Sequence, residues 1–238
     1  MNELPLGAVV DPLPPGVTPP RQPIEGDRVR LVPVDPAAHA EPLFRSSHPP
    51  EADATLWAYL PYGPFADQSA FTDWLVERAA ATDPLFFTVI DRTDIDGAGE
   101  QPSGMASYLR ITPAMGVIEI GHIWFAPRLQ RSPQATEAIY LLARQAFDDL
   151  GNRRLEWKCN ALNEASKRAA LRFGFTYEGT FRQHLVVKGR NRDSAWFSML
   201  DSEWPRVKAN FEHWLSPENF KPDGRQRIAL SELNAAET

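Results

Sequence analysis

The sequence predicts a mixed α/β fold, and three observations predict it. Period-2 strand patterns dominate the first half, a strand–helix–strand–helix order follows, and a proline-dense stretch precedes the patterned region. That stretch, residues 1–26, carries Pro5, Pro12, Pro14, Pro15, Pro19, Pro20 and Pro23. Proline fixes φ and removes a backbone donor, so an extended arm is expected there. The patterned domain spans 27–215. Residues 216–238 are polar without a strong pattern and read as a loosely docked tail.

The elements follow in order. Arg28–Val34 alternates polar and apolar residues and reads as a strand. Helices are expected over Ala37–Ser46 and Asp67–Ala81, the second with Phe71, Trp74, Leu75 and Arg78 at helical spacing and Pro84 beyond its end. Leu85–Ile90 is a short apolar run consistent with a buried strand, joined through the polar loop Asp91–Ser103 to a strand over Gly104–Ile111. Val117–Phe125 is a further strand. Helix Pro133–Leu150 carries an apolar stripe of Ile139, Leu142, Ala143, Ala146, Phe147 and Leu150, with Gly151 as its C′ residue. Leu155, Trp157 and Cys159 alternate with Glu156 and Lys158 as in a half-buried strand. A short helix from Asn163 stops at Gly174. Phe175–Phe181 alternates again, and Leu185–Val187 and Ala195–Leu200 flank the polar turn Lys188–Asp193.

Bulk properties narrow the function. The 238 residues carry a formal net charge of −6, which argues against a general nucleic-acid binder, since phosphate neutralisation needs a basic face. No run of 18 apolar residues suggests a membrane span, and the start lacks the basic and apolar parts of a secretion signal. The single cysteine, Cys159, forms no intrachain disulfide. A cytoplasmic protein without metal, membrane or nucleic-acid partners is expected, as a monomer or homodimer.

Chemistry concentrates at the junction Pro127–Glu137. Ser132 is a good N-cap and Pro133 suits the first helical position. The amides of Gln134, Ala135 and Thr136 are then expected to lack intrahelical partners and to favour an anion, with Arg128 and Arg131 adding charge. A plain helix start explains the same residues equally well.

Ala135-Thr136-Glu137-Ala138, Ala146–Gly151, Asn163–Arg168 and Phe173–Gly179 follow one another with Glu119–His122 upstream and Ser202-Glu203-Trp204 downstream. As a set, over about residues 27–205, they resemble the GNAT acetyltransferases, and within them the ribosomal-protein N-terminal acetyltransferase (RimJ/RimL-like) branch. The resemblance implies a mixed, mostly antiparallel sheet of six to seven strands flanked by helices and splayed at the cofactor strand. It implies acetyl-CoA as co-substrate, with the pantetheine arm on backbone groups of Ile120–Phe125 (Ile123, Trp124 and Phe125 among them). A loop of pattern Q/R-x-x-G-x-G/A would wrap the pyrophosphate. Arg128 matches its first position, but Arg131 and Pro133 stand where the two glycines belong. Contacts from Arg128, Arg131, Ser132, Gln134, Ala135 and Thr136 would then hold the phosphates with altered geometry. Asn163 and Ser166 read plainly as cap residues; the family adds contacts with coenzyme A and, for Ser166, protonation of the departing thiolate.

Transfer to an amine needs a base. Glu119 and His122 are candidates because each is costly in an apolar strand unless partnered. Strict alternation places them on opposite faces; a bulge between them would not. His184 is a further candidate, although Leu185 occupies a position near which some relatives carry a glutamate base. Cys159 reads as a core residue, and Lys188, Arg190 and Arg192 as a basic turn able to grip an acidic part of a substrate. The expected activity is acetyl transfer from acetyl-CoA to a primary amine, either a protein N-terminus or a small molecule. The alternatives are a non-catalytic CoA-binding or regulatory module and a domain for another phosphorylated ligand.

Overall fold

The computed structural model describes residues 4, 6–93, 97 and 99–235. Parts of the expected arm, of the 91–103 loop (94–96 and 98) and of the 216–238 tail therefore lie outside the described residues. The element order is β1 (Ile24–Glu25), β2 (Val29–Pro33), α1 (Pro36–Ser47), α2 (Gln68–Ala80), β3 (Leu85–Asp91), β4 (Gln101–Thr112) and β5 (Val117–Phe125). It continues with α3 (Pro133–Arg144), β6 (Arg154–Asn160), α4 (Glu164–Arg172), β7 (Thr176–Val187), β8 (Arg190–Leu200), α5 (Trp204–Leu215) and α6 (Leu230–Ala235). Side chains at the helix starts explain where α1 and α2 begin: Asp35 caps Ala37 N–H and Asp67 caps Ala70 N–H.

The strands form one open sheet in the order β1-β2-β3-β4-β5-β6-β8-β7, antiparallel except for β5 and β6. Eight strands stand where six to seven were expected. The additional pairing is the two-residue β1, which is too short to leave a periodic signal. The separate segments expected at 175–181 and 185–187 are one strand, β7, interrupted by a register shift between Phe181 and Leu185 where Gln183 takes φ 51°. Helix α3 does not run on to Leu150 as an α-helix: Gln145–Asp149 widens into a π-turn.

Apolar residues fill both faces of the sheet. Phe87, Val89, Ile118 and Ile120 join Leu142 of α3 and Phe211 of α5 in one cluster. Phe86, Met105 and Trp124 join Leu43, Trp57, Phe71 and Leu75 in the other, beneath α1 and α2. Helix α5 was not among the expected elements, although Trp204, Val207, Phe211, Trp214 and Leu215 form a buried stripe at helical spacing. In the C-terminal segment Leu230 is fully buried and the Asn234 side chain donates to Arg172 O at 2.9 Å. Pro14 and Pro15 of the arm lie against Gly116 and Gly151. Among the described residues no helix is long and apolar enough to cross a membrane.

Candidate active site

Strands β5 and β6 pair in parallel only from Val117–Ile120 against Arg154–Trp157. Beyond Ile120 the β5 backbone stays with β4, reaching Gly104 opposite Phe125, while β6 continues beside β8. The two neighbours part, and among the described residues the β5 edge from Gly121 to Phe125 has no strand partner on the β6 side. A cleft of about 750 Å³ opens at this divergence.

The divergence coincides with a bulge. Met105 pairs with Trp124 and Ser107 with Gly121, so Ala106 faces two residues, His122 and Ile123. His122 takes φ 53°, a left-handed conformation that is rare for a non-glycine residue. The extra residue reverses parity. Ile118 and Ile120 face α3, but Trp124 faces α1 and α2. Glu119 and His122, on opposite faces of a regular strand, both line the cleft.

Glu119 is 5% exposed. Its carboxylate accepts from Lys158 Nζ at 2.9 Å and pairs with Arg110 Nε at 3.3 Å. Burial raises its pKa, and the Lys158 and Arg110 charges only partly draw it back. Lys158 also donates to Glu156 at 2.7 Å and sits 3.7 Å from the Trp196 ring centroid. The His122 ring stacks on Tyr62 at 5.6 Å and lies 5.1 Å from Phe86. Burial, with Arg78 and Arg192 nearby, pushes its pKa down to about 4, so this imidazole is neutral at pH 7. His184 shares its Nδ1 with Ser194 Oγ at 2.9 Å and also lines the cleft; burial and three cations lower its pKa.

On the β6 side, Asn163 Oδ1 caps α4 by accepting from Ser166 N at 3.0 Å. Ser166 Oγ accepts from Trp157 Nε1 at 3.0 Å and its hydroxyl lies beside the Cys159 thiol. Both residues line the cleft, as does buried Cys159, whose thiol burial pushes up. A raised thiol is a poor nucleophile.

The start of α3 differs from expectation. Ala135 N–H is held by Ser132 Oγ at 3.1 Å, and Thr136 N–H makes the first helical bond, to Ser132 O, at 3.3 Å. The sequence reading counted one amide too many: the fourth helical residue already bonds to the carbonyl of the cap. Thr136 is also buried, its hydroxyl accepting from Arg172 at 3.1 Å. Pro133 has no N–H, so Gln134 N–H is, among the described residues, the helix-start amide without a protein acceptor. Arg131 sits at φ 60°, the left-handed geometry that a glycine would supply there. Arg128 donates to Ser103 Oγ. Ile123 lines the cleft, whereas the Trp124 side chain is buried in the opposite core, leaving only its backbone toward the β5 edge.

Glu119, His122, Ile123, Asn163, Ser166 and His184 thus share one cleft. Arg131, Ser132, Gln134, Ala135 and Thr136 do not line it and surround the adjacent helix start; Arg128 does not line it either, and its side chain turns instead to Ser103 of β4. Sequence reasoning missed Lys158 and Arg110 as partners of Glu119. The signal was the register of two strands, which places Glu119 opposite Glu156, and strand register is not written in one strand's sequence.

Comparison with known proteins identifies the fold and the family. Residues 28–176 match the model of the acetyltransferase (GNAT) domain. A GCN5-related N-acetyltransferase from Brucella melitensis superposes with a TM-score of 0.87 at 46% identity, over 94% of this chain and 98% of that one. A chain described as a probable acetyltransferase of the GNAT family, from Chromobacterium violaceum, gives 0.76 at 42% identity, over 86% of this chain and 99% of that one. The Bacillus subtilis protein named "Putative ribosomal N-acetyltransferase YdaF" is 32% identical over 105 residues, 44% of this chain; the match spans 57% of that protein's length. This last similarity agrees with the RimJ/RimL-like character of the sequence. The chain belongs to the GNAT family of acyl-CoA-dependent N-acetyltransferases.

Proposed function

We propose that the cleft moves the acetyl group of acetyl-CoA to a primary amine by direct attack, with Glu119 as general base. The observation that carries this reading is the parting of β5 from β6 beyond Ile120, beside a carboxylate whose affinity for protons burial has raised. An unpaired strand edge offers the amide-bearing pantetheine arm the same hydrogen bonds a neighbouring strand would make. The Gln134 amide and the positive end of α3, with Arg131 beside them, suit the diphosphate.

In this reading the acceptor arrives as an ammonium ion. Glu119 takes its proton, directly or through one water; the nitrogen attacks the thioester carbon, the C–N bond forms and the C–S bond breaks. Ser166 lends its proton to the departing thiolate and is reprotonated, through water, by the second proton that the acylated nitrogen sheds as the neutral amide forms. Glu119 suits the task better than its rivals. A base works best with a pKa near the working pH, and His122 at about 4 binds protons too weakly at pH 7. His184 is weakened as a base in the same direction, by burial and by the Arg110, Arg192 and Lys158 charges. Either a protein N-terminus or a small amine fits this chemistry.

Release of free thiol from acetyl-CoA with a panel of amines tests the reading. Turnover that Glu119→Gln lowers about a hundredfold or more, with CoA affinity kept, supports it. CoA binding without turnover of any amine would instead leave a binding module.

A further inference from the structure

Three cations, Arg110, Lys158 and Arg192, line the inner part of the cleft around Glu119. Two of them have protein partners. Lys158 is shared between Glu119 and Glu156, and Arg110 pairs with Glu119. Arg192 differs. Among the described residues it has no carboxylate partner, and its Nε is buried from solvent without a hydrogen-bond acceptor. It projects from β8 opposite Leu185, into the space it shares with His122, His184 and Cys159.

A half-buried guanidinium with unused donors is costly unless an anion meets it. Resting on the cofactor placement proposed above, acetyl-CoA brings no anion here. Its phosphates lie at the start of α3, and the pantetheine arm and thioester are uncharged. The missing negative charge must then come with the acceptor. A guanidinium presents its N–H groups in a planar fork that matches a carboxylate two-to-two, with better geometry than an ammonium could offer.

We propose that the acceptor is an amine that also carries a carboxylate, and that Arg192 is the specificity-determining residue that binds this carboxylate while the amine faces Glu119. Two sources share that chemistry: a peptide whose N-terminal residue is acidic, and a free amino acid.

The test uses the full chain, acetyl-CoA and thiol release with two matched pairs. A peptide beginning with aspartate is compared with its asparagine counterpart, and β-alanine with β-alaninamide. The wild-type protein is expected to favour the acid member of at least one pair by about tenfold or more in kcat/KM, and the pair that does so identifies the source. Arg192→Gln should raise KM for that acid and bring the acid-to-amide ratio toward one, with CoA affinity from calorimetry retained; Arg192→Lys should restore part of the preference. Turnover of both members of each pair at equal efficiency would overturn this inference and leave the proposed function standing. A fall in kcat by the same factor for acid and amide in Arg192→Gln would also overturn it, placing the guanidinium at the reacting carbonyl instead. CoA binding with no turnover of any amine would overturn both readings.

Discussion

Ser132→Asp separates the stability of the α3 start from its affinity for phosphate. Aspartate caps a helix as well as serine, and its charge gains about 0.3–1 kcal/mol from the helix dipole. Against this, the carboxylate cannot make the bond that Ser132 Oγ donates to Leu129 O at 2.6 Å, a loss of about 1 kcal/mol. Folding stability should therefore stay within about 1 kcal/mol of wild type. Ligand affinity should not. The cap oxygen lies 3.1 Å from Ala135 N, next to the free Gln134 amide. A diphosphate held there comes within about 5 Å of the new charge. Coulomb repulsion at that distance is about 1 kcal/mol in a water-like dielectric and about 3 kcal/mol at an effective dielectric near 20. CoA should bind about five- to 150-fold more weakly. Ser132→Asn is the matched control, with the same size and capping oxygen but no charge. Urea denaturation reads stability and titration calorimetry reads affinity. Equal CoA affinity in the aspartate and asparagine variants, both folded, would refute this placement of the phosphates.

Three further outcomes follow from the same geometry. Arg131→Gly should stabilise the fold by up to about 1 kcal/mol, because glycine adopts φ 60° without the side-chain penalty, yet weaken CoA binding by removing a charge; denaturant midpoints and calorimetry should move in opposite directions. The rate should fall with acid as Glu119 is protonated. Because burial already raises its pKa and Arg110 draws it back, Arg110→Gln should move the acid limb of kcat to higher pH; an unmoved limb would remove Glu119 as the titrating base. Gly121→Ala should be tolerated, since the added Cβ would crowd only the tip of the half-buried Leu109 side chain, Cδ2 at 2.8 Å, which can turn toward the cleft; a large drop in thermal melting would contradict this.

Much of this architecture is legible in the sequence because it rests on local signals. The Ser132–Pro133 start of α3 and the Asn163 cap of α4 depend on residues within one turn. Glu119 stood out as a carboxylate in an apolar strand. What the sequence does not carry is register. Whether Glu119 and His122 share a face depends on how many β5 residues stand opposite Ala106, a property of the β4–β5 pair. The cations around Glu119 come from β4, β6 and β8, elements up to some eighty residues apart in the chain. Arg192 was visible only as one charge in a basic turn; its burial and lack of an anion appear only once β8 lies beside β6. The count of free amides at α3 was a different error: Thr136 N–H bonds back to the cap carbonyl and Ala135 N–H to the cap hydroxyl, which leaves one donor where three were expected.

A structure of the protein with bound coenzyme A bears most directly on the whole account. The pantetheine arm should run along the β5 edge between Gly121 and Phe125, with the diphosphate on the Gln134 amide and the sulfur near Ser166. Coenzyme A seated elsewhere, with the β5 edge bare and the α3 start closed by Ser132 alone, would contradict it.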